Sequence, residues 1–324
     1  MVLFDEFSAL IQPFLRESMA VAVSGGADSL ALALLLQEFK EKSTFPLKKY
    51  VALTVDHQLR ENPAAEAQQV HTDLTARGVD HQTLTWVHPV LASRLEEKAR
   101  EARYQLLTDF CKKNAIEYLL TAQHARDQIE TFFMRRSRGS GLRGLSAMRP
   151  FTVSYGVTLG RPFLALSPER LTQTLQRFQQ DFITDPSNFA PQFERTRWRK
   201  LLPQFLPLGL TEQSIVRSLQ NLQDIDAQCT EAAQNFLRQS LFQKNNQFCF
   251  KKEEFCFLMP YVAQTVLLLL FQEITRDFRP ISQSLLKRVY EKMIAPSFVG
   301  TTAAGCLIRS SSRYCFAIFQ EKRK

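Results

Sequence analysis

Met19–Val23 is a short apolar run that feeds directly into Ser24-Gly25-Gly26-Ala27-Asp28-Ser29, and Ser29–Phe39 continues as a helix pattern rich in Leu and Ala. A strand that turns on two glycines straight into a helix is compatible with few folds. The glycines let the backbone turn tightly and bring N–H groups close to a ligand. The helix start behind them adds partial positive charge. Ser24 and Ser29 carry hydroxyls that can donate to phosphate oxygens. Asp28 is the odd member, because a carboxylate beside phosphates is repelled unless a cation bridges them, and this points to Mg²⁺. No Gly-Lys-Ser/Thr follows, so the loop is not of the Walker type. A bare Ser-Gly-Gly would suit any glycine turn that opens a helix. The full S-G-G-x-D-S at a strand–helix junction favours a nucleotide phosphate site.

The rest of the first half repeats the alternation. Tyr50–Val55 reads as a strand, Ala64–Arg77 as a helix stopped by Gly78, and His81–Val87 as a strand. Leu95–Asn114 is a long helix pattern, Ile116–Ala122 a buried strand, and Asp127–Arg136 a helix. Strands separated by helices predict an α/β fold, a parallel sheet with helices on both faces. After Gly139 the texture changes. Ser167–Gln179 reads as a helix with Pro168 in its first turn, Asp185–Lys200 is polar and arginine-rich, and Pro203 with Pro207-Leu208-Gly209 marks a boundary. Two domains are expected, 1–208 and 209–324. In the second, Thr211–Leu241, Val262–Ile274 and Ser282–Met293 read as helices, Gln247–Leu258 as a hairpin with a charged tip, and Tyr314–Phe319 as a strand.

Charge narrows the partners. Forty-one Lys and Arg against 32 Asp and Glu leave a net charge of +9, which favours a polyanion such as nucleic acid or an anionic surface. The longest apolar run, Val266–Phe271, is far too short to span a bilayer. Asp5 and Glu6 stand where a secretory leader would be basic. The six cysteines form no C-x-x-C pair, which fits reduced thiols in a cytoplasmic protein and argues against zinc or iron–sulfur ligation.

Three further stretches carry candidate chemistry. The second strand ends at Asp56-His57, and strand ends line the ligand crevice in such sheets, so both residues are candidates for the nucleoside site. Arg100 and Arg103 stand at i and i+3 on the long helix and share a face that suits phosphates, although a solvated helix surface explains them equally well. Asp127 and Glu130 are also at i and i+3, near a helix start. They would either stabilise the helix dipole or bind a cationic amino group. His124 just before them reads as a base, a phosphate ligand or a structural residue.

S-G-G-A-D-S resembles the loop of the N-type ATP pyrophosphatases. With V-D-H-x-L-R, E-x-x-A-R-x-x-R-Y, H-x-x-D-Q-x-E-T, R-G-S-G-L-x-G-L, R-P-F-L and D-P-S-N at Asp185–Asn188, the chain resembles the tRNA(Ile)-lysidine synthetase family over roughly its first two-thirds. That resemblance implies a Rossmann-like fold of the adenine-nucleotide alpha-hydrolase kind, with a smaller α+β C-terminal domain, and the charged hairpin and Lys322-Arg323-Lys324 suggest that this domain contacts tRNA. It implies ATP and Mg²⁺, a tRNA(Ile) with a CAU anticodon, and L-lysine joined to C2 of the wobble cytidine through an adenylated intermediate. Ser24–Ser29, Asp56 and His57 would then bind ATP, with Asp28 on the metal. Asp127 and Glu130 would hold lysine, and Arg103 would hold pyrophosphate or the activated base. Arg195, Arg197 and Arg199, together with Arg135, Arg136, Arg138 and Arg143, would grip RNA.

Two departures stand out: Arg126 occupies a place where the family has an acid, and Gln58 one where it has glycine. The rival readings are a tRNA thiolase of the same superfamily and a non-catalytic tRNA-binding protein that keeps the fold. A monomer and a homodimer both remain open.

Overall fold

The computed structural model describes residues 1–58, 63–88, 95–184, 194–244, 247–277, 281–312 and 315–321, without the side chains of 63, 64, 95–97 and 206. Leu59-Arg60, Asp185–Asn188, Lys322–Lys324 and the Glu96 and Glu97 side chains lie outside that set. The chain forms two compact units, one of Met1–Ser137 with Ala147–Ser218, the other of Arg138–Ser146 with Leu219–Lys324. No helix among the described residues is long and apolar enough to cross a membrane.

In chain order the elements are α1 (Phe4–Ile11), β1 (Ser18–Ala22), α2 (Ala27–Lys42), β2 (Lys49–Asp56), α3 (Pro63–Thr75), β3 (Asp80–Thr85), α4 (Leu95–Lys113), β4 (Tyr118–Leu120), α5 (Ala125–Ser137) and α6 (Leu142–Leu145). Then come β5 (Phe151–Ser154), β6 (Val157–Gly160), α7 (Pro168–Phe178), α8 (Glu194–Leu201), α9 (Glu212–Ser240), β7 (Phe242–Lys244) and β8 (Gln247–Lys251). The chain ends with α10 (Lys252–Cys256), α11 (Pro260–Thr275), α12 (Gln283–Met293), β9 (Gly300–Ala303), β10 (Cys306–Ser310) and β11 (Cys315–Gln320).

The first unit holds a six-stranded sheet in the order β3-β2-β1-β4-β6-β5. All pairs are parallel except β5 with β6. Alternation along the strands explains the two covered faces. Met19, Val21, Tyr50 and Ala52 enter one core with α2 residues such as Leu32 and Leu35. Ala20, Val51 and Leu53 enter another with Leu107 and Cys111 of α4. Each fully buried leucine contributes roughly 2 kcal/mol of transfer free energy. A one-residue slip would exchange the two faces and misplace every such side chain, so the register is firmly set. The strand order reverses between β1 and β4, and such switch points open a crevice at the carboxyl ends of the strands.

The antiparallel edge strand β5 was not expected from its sequence. Arg161 fastens it: its Nη1 donates to the Arg149 carbonyl and to Thr152 Oγ1, both at 3.0 Å, while Phe163 fills the core. The R-P-F-L stretch therefore has a structural use.

The second unit has an antiparallel sheet in the order β7-β8-β11-β10-β9. Phe250, Phe316, Ile318 and Ile308 face α11 and α12 in one core. The expected hairpin at Gln247–Leu258 is displaced. Its strands are β7 and β8, paired antiparallel, and the charged residues Lys252–Glu254 begin the helical turn α10. Alternation in QFCFK marked a strand correctly, but its partner precedes it. The glycine-rich segment before α6 belongs to this unit. A Cβ on Gly141 would lie 2.6 Å from Gln283 Cγ, so only glycine permits that approach. Arg143 then donates to Asp226 Oδ1 at 3.4 Å and to Thr230 Oγ1 at 2.9 Å. Asp226, fully buried, also accepts from Tyr261 Oη at 2.8 Å.

Candidate active site

The loop after β1 sits at the switch point. Val23 N donates to the Leu53 carbonyl at 2.8 Å, the last rung before the chain leaves the sheet. Gly25 has φ +82, and a Cβ there would lie 2.9 Å from both Ile183 Cδ1 and Val70 Cγ2. Glycine is needed for the turn and for the packing. Gly25 O accepts from Ile183 N at 2.9 Å, which pins the outer side of the loop. On the inner side the two serines brace each other. Ser29 Oγ donates to Gly26 O at 3.0 Å and accepts from Ser24 N at 3.1 Å, with Ser24 Oγ 3.3 Å away. Gly26 caps α2 without any side-chain cap, so the helix start keeps N–H groups available to a ligand. Ala27 and Asp28 form the first turn, and the Asp28 side chain is 37% exposed.

The loop after β4 reaches the same edge and opens α5. Asp127 Oδ2 accepts from His124 N at 3.0 Å, a third-position acid closing back on the residue before the helix. The buried His124 Nε2 lies 3.5 Å from Asp28 Oδ2 and 3.6 Å from Asp127 Oδ2. Burial pushes the His124 pKa down, but the hydrogen bond to Asp28 and the carboxylates of Asp127, Asp28 and Glu130 outweigh it and hold the imidazolium above the usual range. Its Nδ1 is buried without a hydrogen-bond partner. Gln128 reads the backbone both ways, donating to Met148 O at 2.8 Å and accepting from Met148 N at 2.7 Å. Glu130, fully buried, accepts from Arg199 Nε at 2.8 Å through Oε1, while Oε2 has no partner. Burial raises the Glu130 pKa, the Arg199 hydrogen bond and charge oppose this, and the net shift is upward.

At the end of β2, Asp56 Oδ1 accepts from Gln58 N at 2.9 Å. Gln58 itself has φ +51. The left-handed conformation that glycine would adopt most cheaply is kept here by a larger residue held by an aspartate turn. His57 Nε2 accepts from Arg103 Nε at 3.1 Å, which brings two sequence candidates together. Arg100 lies over the Tyr104 ring at 5.0 Å. Arg126 is accounted for by ion pairs to Glu169 at 2.5 Å and Glu212 at 3.0 Å, on α7 and α9.

The arginines expected to grip RNA divide into two sets. Arg195 and Arg197 of α8 are exposed, as are Arg136 and Arg138. Arg199 is bound to Glu130, Arg143 to Asp226 and Thr230, and Arg135 Nη1 donates to the Ala147 carbonyl at 2.9 Å. Two relationships escaped the sequence reading, the His124–Asp28 contact and the Arg199–Glu130 pair. Each joins residues far apart in the chain, and no local spacing signals it.

Residues 3–205 match the family model described as a PP-loop domain. The chain is 39% identical over 224 residues to a tRNA(Ile)-lysidine synthase of Bradyrhizobium diazoefficiens, covering 68% of this chain and 62% of that protein. It is 36% identical over 233 residues to one of Methylobacterium nodulans, covering 71% of this chain and 67% of that one. The chain thus belongs to the tRNA(Ile)-lysidine synthase family of PP-loop proteins, and it spans about three fifths to two thirds of the length of these relatives. Among solved structures, the U34-tRNA thiolase NcsA of Methanococcus maripaludis with its [4Fe-4S] cluster superposes with a TM-score of 0.57. That match covers 68% of this chain and 79% of the other at 14% identity, a likeness of fold.

Proposed function

We propose that the protein is a ligase that uses ATP to join L-lysine to C2 of the wobble cytidine of a CAU-anticodon tRNA(Ile). The observation that carries this reading is His124, whose ring bridges the phosphate loop at Asp28 and the acidic start of α5 at Asp127. The carboxylates for an amine and the cradle for ATP thereby meet at one sheet edge.

In the first step the cytosine C2 oxygen attacks the ATP α-phosphorus and pyrophosphate leaves. The N–H groups at the start of α2 and the hydroxyl of Ser24 supply donors to the phosphates, while Ser29 braces the loop by donating to Gly26 O. His124 also keeps a buried Nδ1 with no hydrogen-bond partner, a further polar atom in this neighbourhood. Arg103, held against His57, supplies positive charge for departing pyrophosphate. Asp56 and His57 flank the nucleoside.

The donor set fits Mg²⁺ of the kind that binds through one carboxylate and the substrate's phosphates. Asp28 would hold it, since among the described residues no group of three or more His, Cys, Asp and Glu forms a cage. Bound there, the ion would neutralise charge on the phosphates. In the second step the lysine ε-ammonium gives up a proton to water, the neutral amine attacks C2, and AMP leaves carrying the former C2 oxygen. Asp127 and Glu130 orient the amine, and Asp127, with its side chain 20% exposed, is the more accessible of the two. Arg195 and Arg197 bind the RNA backbone, and residues 209–324 add further tRNA contacts.

The thiolase alternative is disfavoured by the sulfur chemistry. Cys111 is buried in the core with its thiol pushed up to about 12 by burial, far from a reactive thiolate. The other five cysteines lie in the second unit. The deciding experiment incubates the protein with ATP, labelled lysine and tRNA carrying a CAU anticodon. Acid-stable label in the tRNA, dependent on ATP, is the expected result. Tight tRNA binding with no incorporation would instead support a binding protein that keeps the fold.

A further inference from the structure

Glu130 is fully buried on α5, and a carboxylate in such a place requires a cation. Arg199 of α8 supplies it, but incompletely. The contact is a single Nε–Oε1 bond at 2.8 Å, while Oε2 accepts from nothing. A self-sufficient arginine–carboxylate pair is two-pronged and satisfies both oxygens. Here the carboxylate keeps half of its accepting capacity, with less than 1 Å² of that oxygen open to solvent. An incoming ammonium therefore cannot reach Glu130 while Arg199 stays where it is.

The two partners differ in freedom. Glu130 is fixed inside α5, whereas the Arg199 side chain is 37% exposed and can swing outward. The helix that carries it is held in place. Thr196 is buried, and Trp198 stacks on Phe133 of α5 with ring centroids 5.1 Å apart and planes at 19°. Motion of the guanidinium alone is therefore the inexpensive route. The same helix exposes Arg195 and Arg197, so a polyanion drawn to α8 brings phosphates within reach of Arg199.

We propose that Arg199 occupies the amine seat at Glu130 as an internal stand-in for the substrate's ammonium, and that an RNA phosphate draws it off so that lysine can enter. This rests on the lysine-ligase reading given above. The exchange conserves charge. One pair, guanidinium with carboxylate, becomes two: guanidinium with phosphate, and ammonium with carboxylate. Arg199 is thus a positioning residue that makes lysine binding depend on RNA, in contrast to the purely RNA-gripping role its place among the arginines suggested.

The test is equilibrium dialysis of labelled L-lysine against the full chain, with and without CAU-anticodon tRNA. Wild type is expected to bind lysine at least tenfold more tightly with tRNA than without it. Arg199→Gln is expected to bind lysine without tRNA at least tenfold more tightly than wild type does, and Arg199→Lys to restore the dependence. In turnover, Arg199→Gln should shift KM for lysine while leaving KM for tRNA within about threefold. Equal wild-type binding with and without tRNA overturns the proposal without reference to any variant. So does Arg199→Gln binding lysine without tRNA no more tightly than wild type does. The ligase reading fails separately, by absence of lysine incorporation in wild type.

Discussion

His124 Nε2 stands 3.5 Å from Asp28 Oδ2, so the residue that precedes α5 meets the acid in the first turn of α2. Two loops from neighbouring parallel strands are thereby tied by one ion pair, at the place where the strand order reverses. The hydrogen bond to Asp28 helps raise the His124 pKa above its ordinary value, and under the ligase reading Asp28 would also hold the cation that neutralises the ATP phosphates.

Asp28→Ala is therefore expected to abolish tRNA-dependent ATP–pyrophosphate exchange, with kcat down by roughly 10²-fold or more. Exchange is followed with labelled pyrophosphate. Asp28→Asn, which keeps the size and removes the charge, should fail similarly, and retained exchange in either variant would remove Asp28 from the mechanism.

Gly25→Ala tests the loop's backbone. The substitution forces a left-handed residue and presses a methyl against Ile183 and Val70. A stability loss of about 1–3 kcal/mol is expected from strain of this kind, together with weaker ATP binding by calorimetry. Gly26→Ala, whose new methyl would meet only Ser24 Oγ at 3.5 Å, should be much milder.

A pH effect separate from catalysis is expected from His81. Its Nε2 lies 2.8 Å from Thr54 Oγ1, and its Nδ1 lies 3.0 Å from His71 Nδ1. Burial, with the neighbouring His71, lowers its pKa to about 4. An unfolded histidine titrates near about 6.5, so between the two values the unfolded chain binds more protons than the folded one. Stability should be full above about pH 6.5, fall as pH drops toward about 4, and level off below. Melting curves across that window should show the decline, and His81→Gln should flatten it.

Much of this was legible in the sequence because it is local. S-G-G-A-D-S announced the loop, and the alternation around it announced the parallel sheet, since both depend on residues within one turn or one strand. Gly78, which has φ +73, stopped its helix as composition implied. What stayed hidden depends on partners far away. Gln58 looks like a defect in a glycine position until Asp56 is found holding its turn. Arg126 looks like a lost acid until Glu169 and Glu212 are found beside it. The edge strand β5 is only four residues long and exposed along most of its length, too short a run for its alternation to mark a strand.

In the second unit, Asp226→Leu tests what anchors the glycine-rich segment. Arg143 would lose its buried carboxylate partner and Tyr261 its acceptor. Breaking such a pair costs on the order of 3 kcal/mol. Chemical denaturation of the full chain should show that loss while ATP affinity remains unchanged. An unaltered midpoint would mean the pair contributes nothing net.

Glu130→Ala separates the two substrates. The glutamate lies three residues beyond Asp127 on α5, one helical turn deeper, and its hydrogen bond goes to Arg199 rather than to the loop serines or Asp28. If it seats the amine, its loss should raise KM for lysine by roughly 10-fold or more while KM for ATP changes by less than about 3-fold, since a charge-assisted hydrogen bond is worth about 1.5–3 kcal/mol. Asp127→Asn should disturb both, because Asp127 also closes the N-terminus of α5 and supports His124 against Asp28. An equal rise in both constants for Glu130→Ala would place it in the scaffold of α5, and the amine would then have to be held by Asp127 alone.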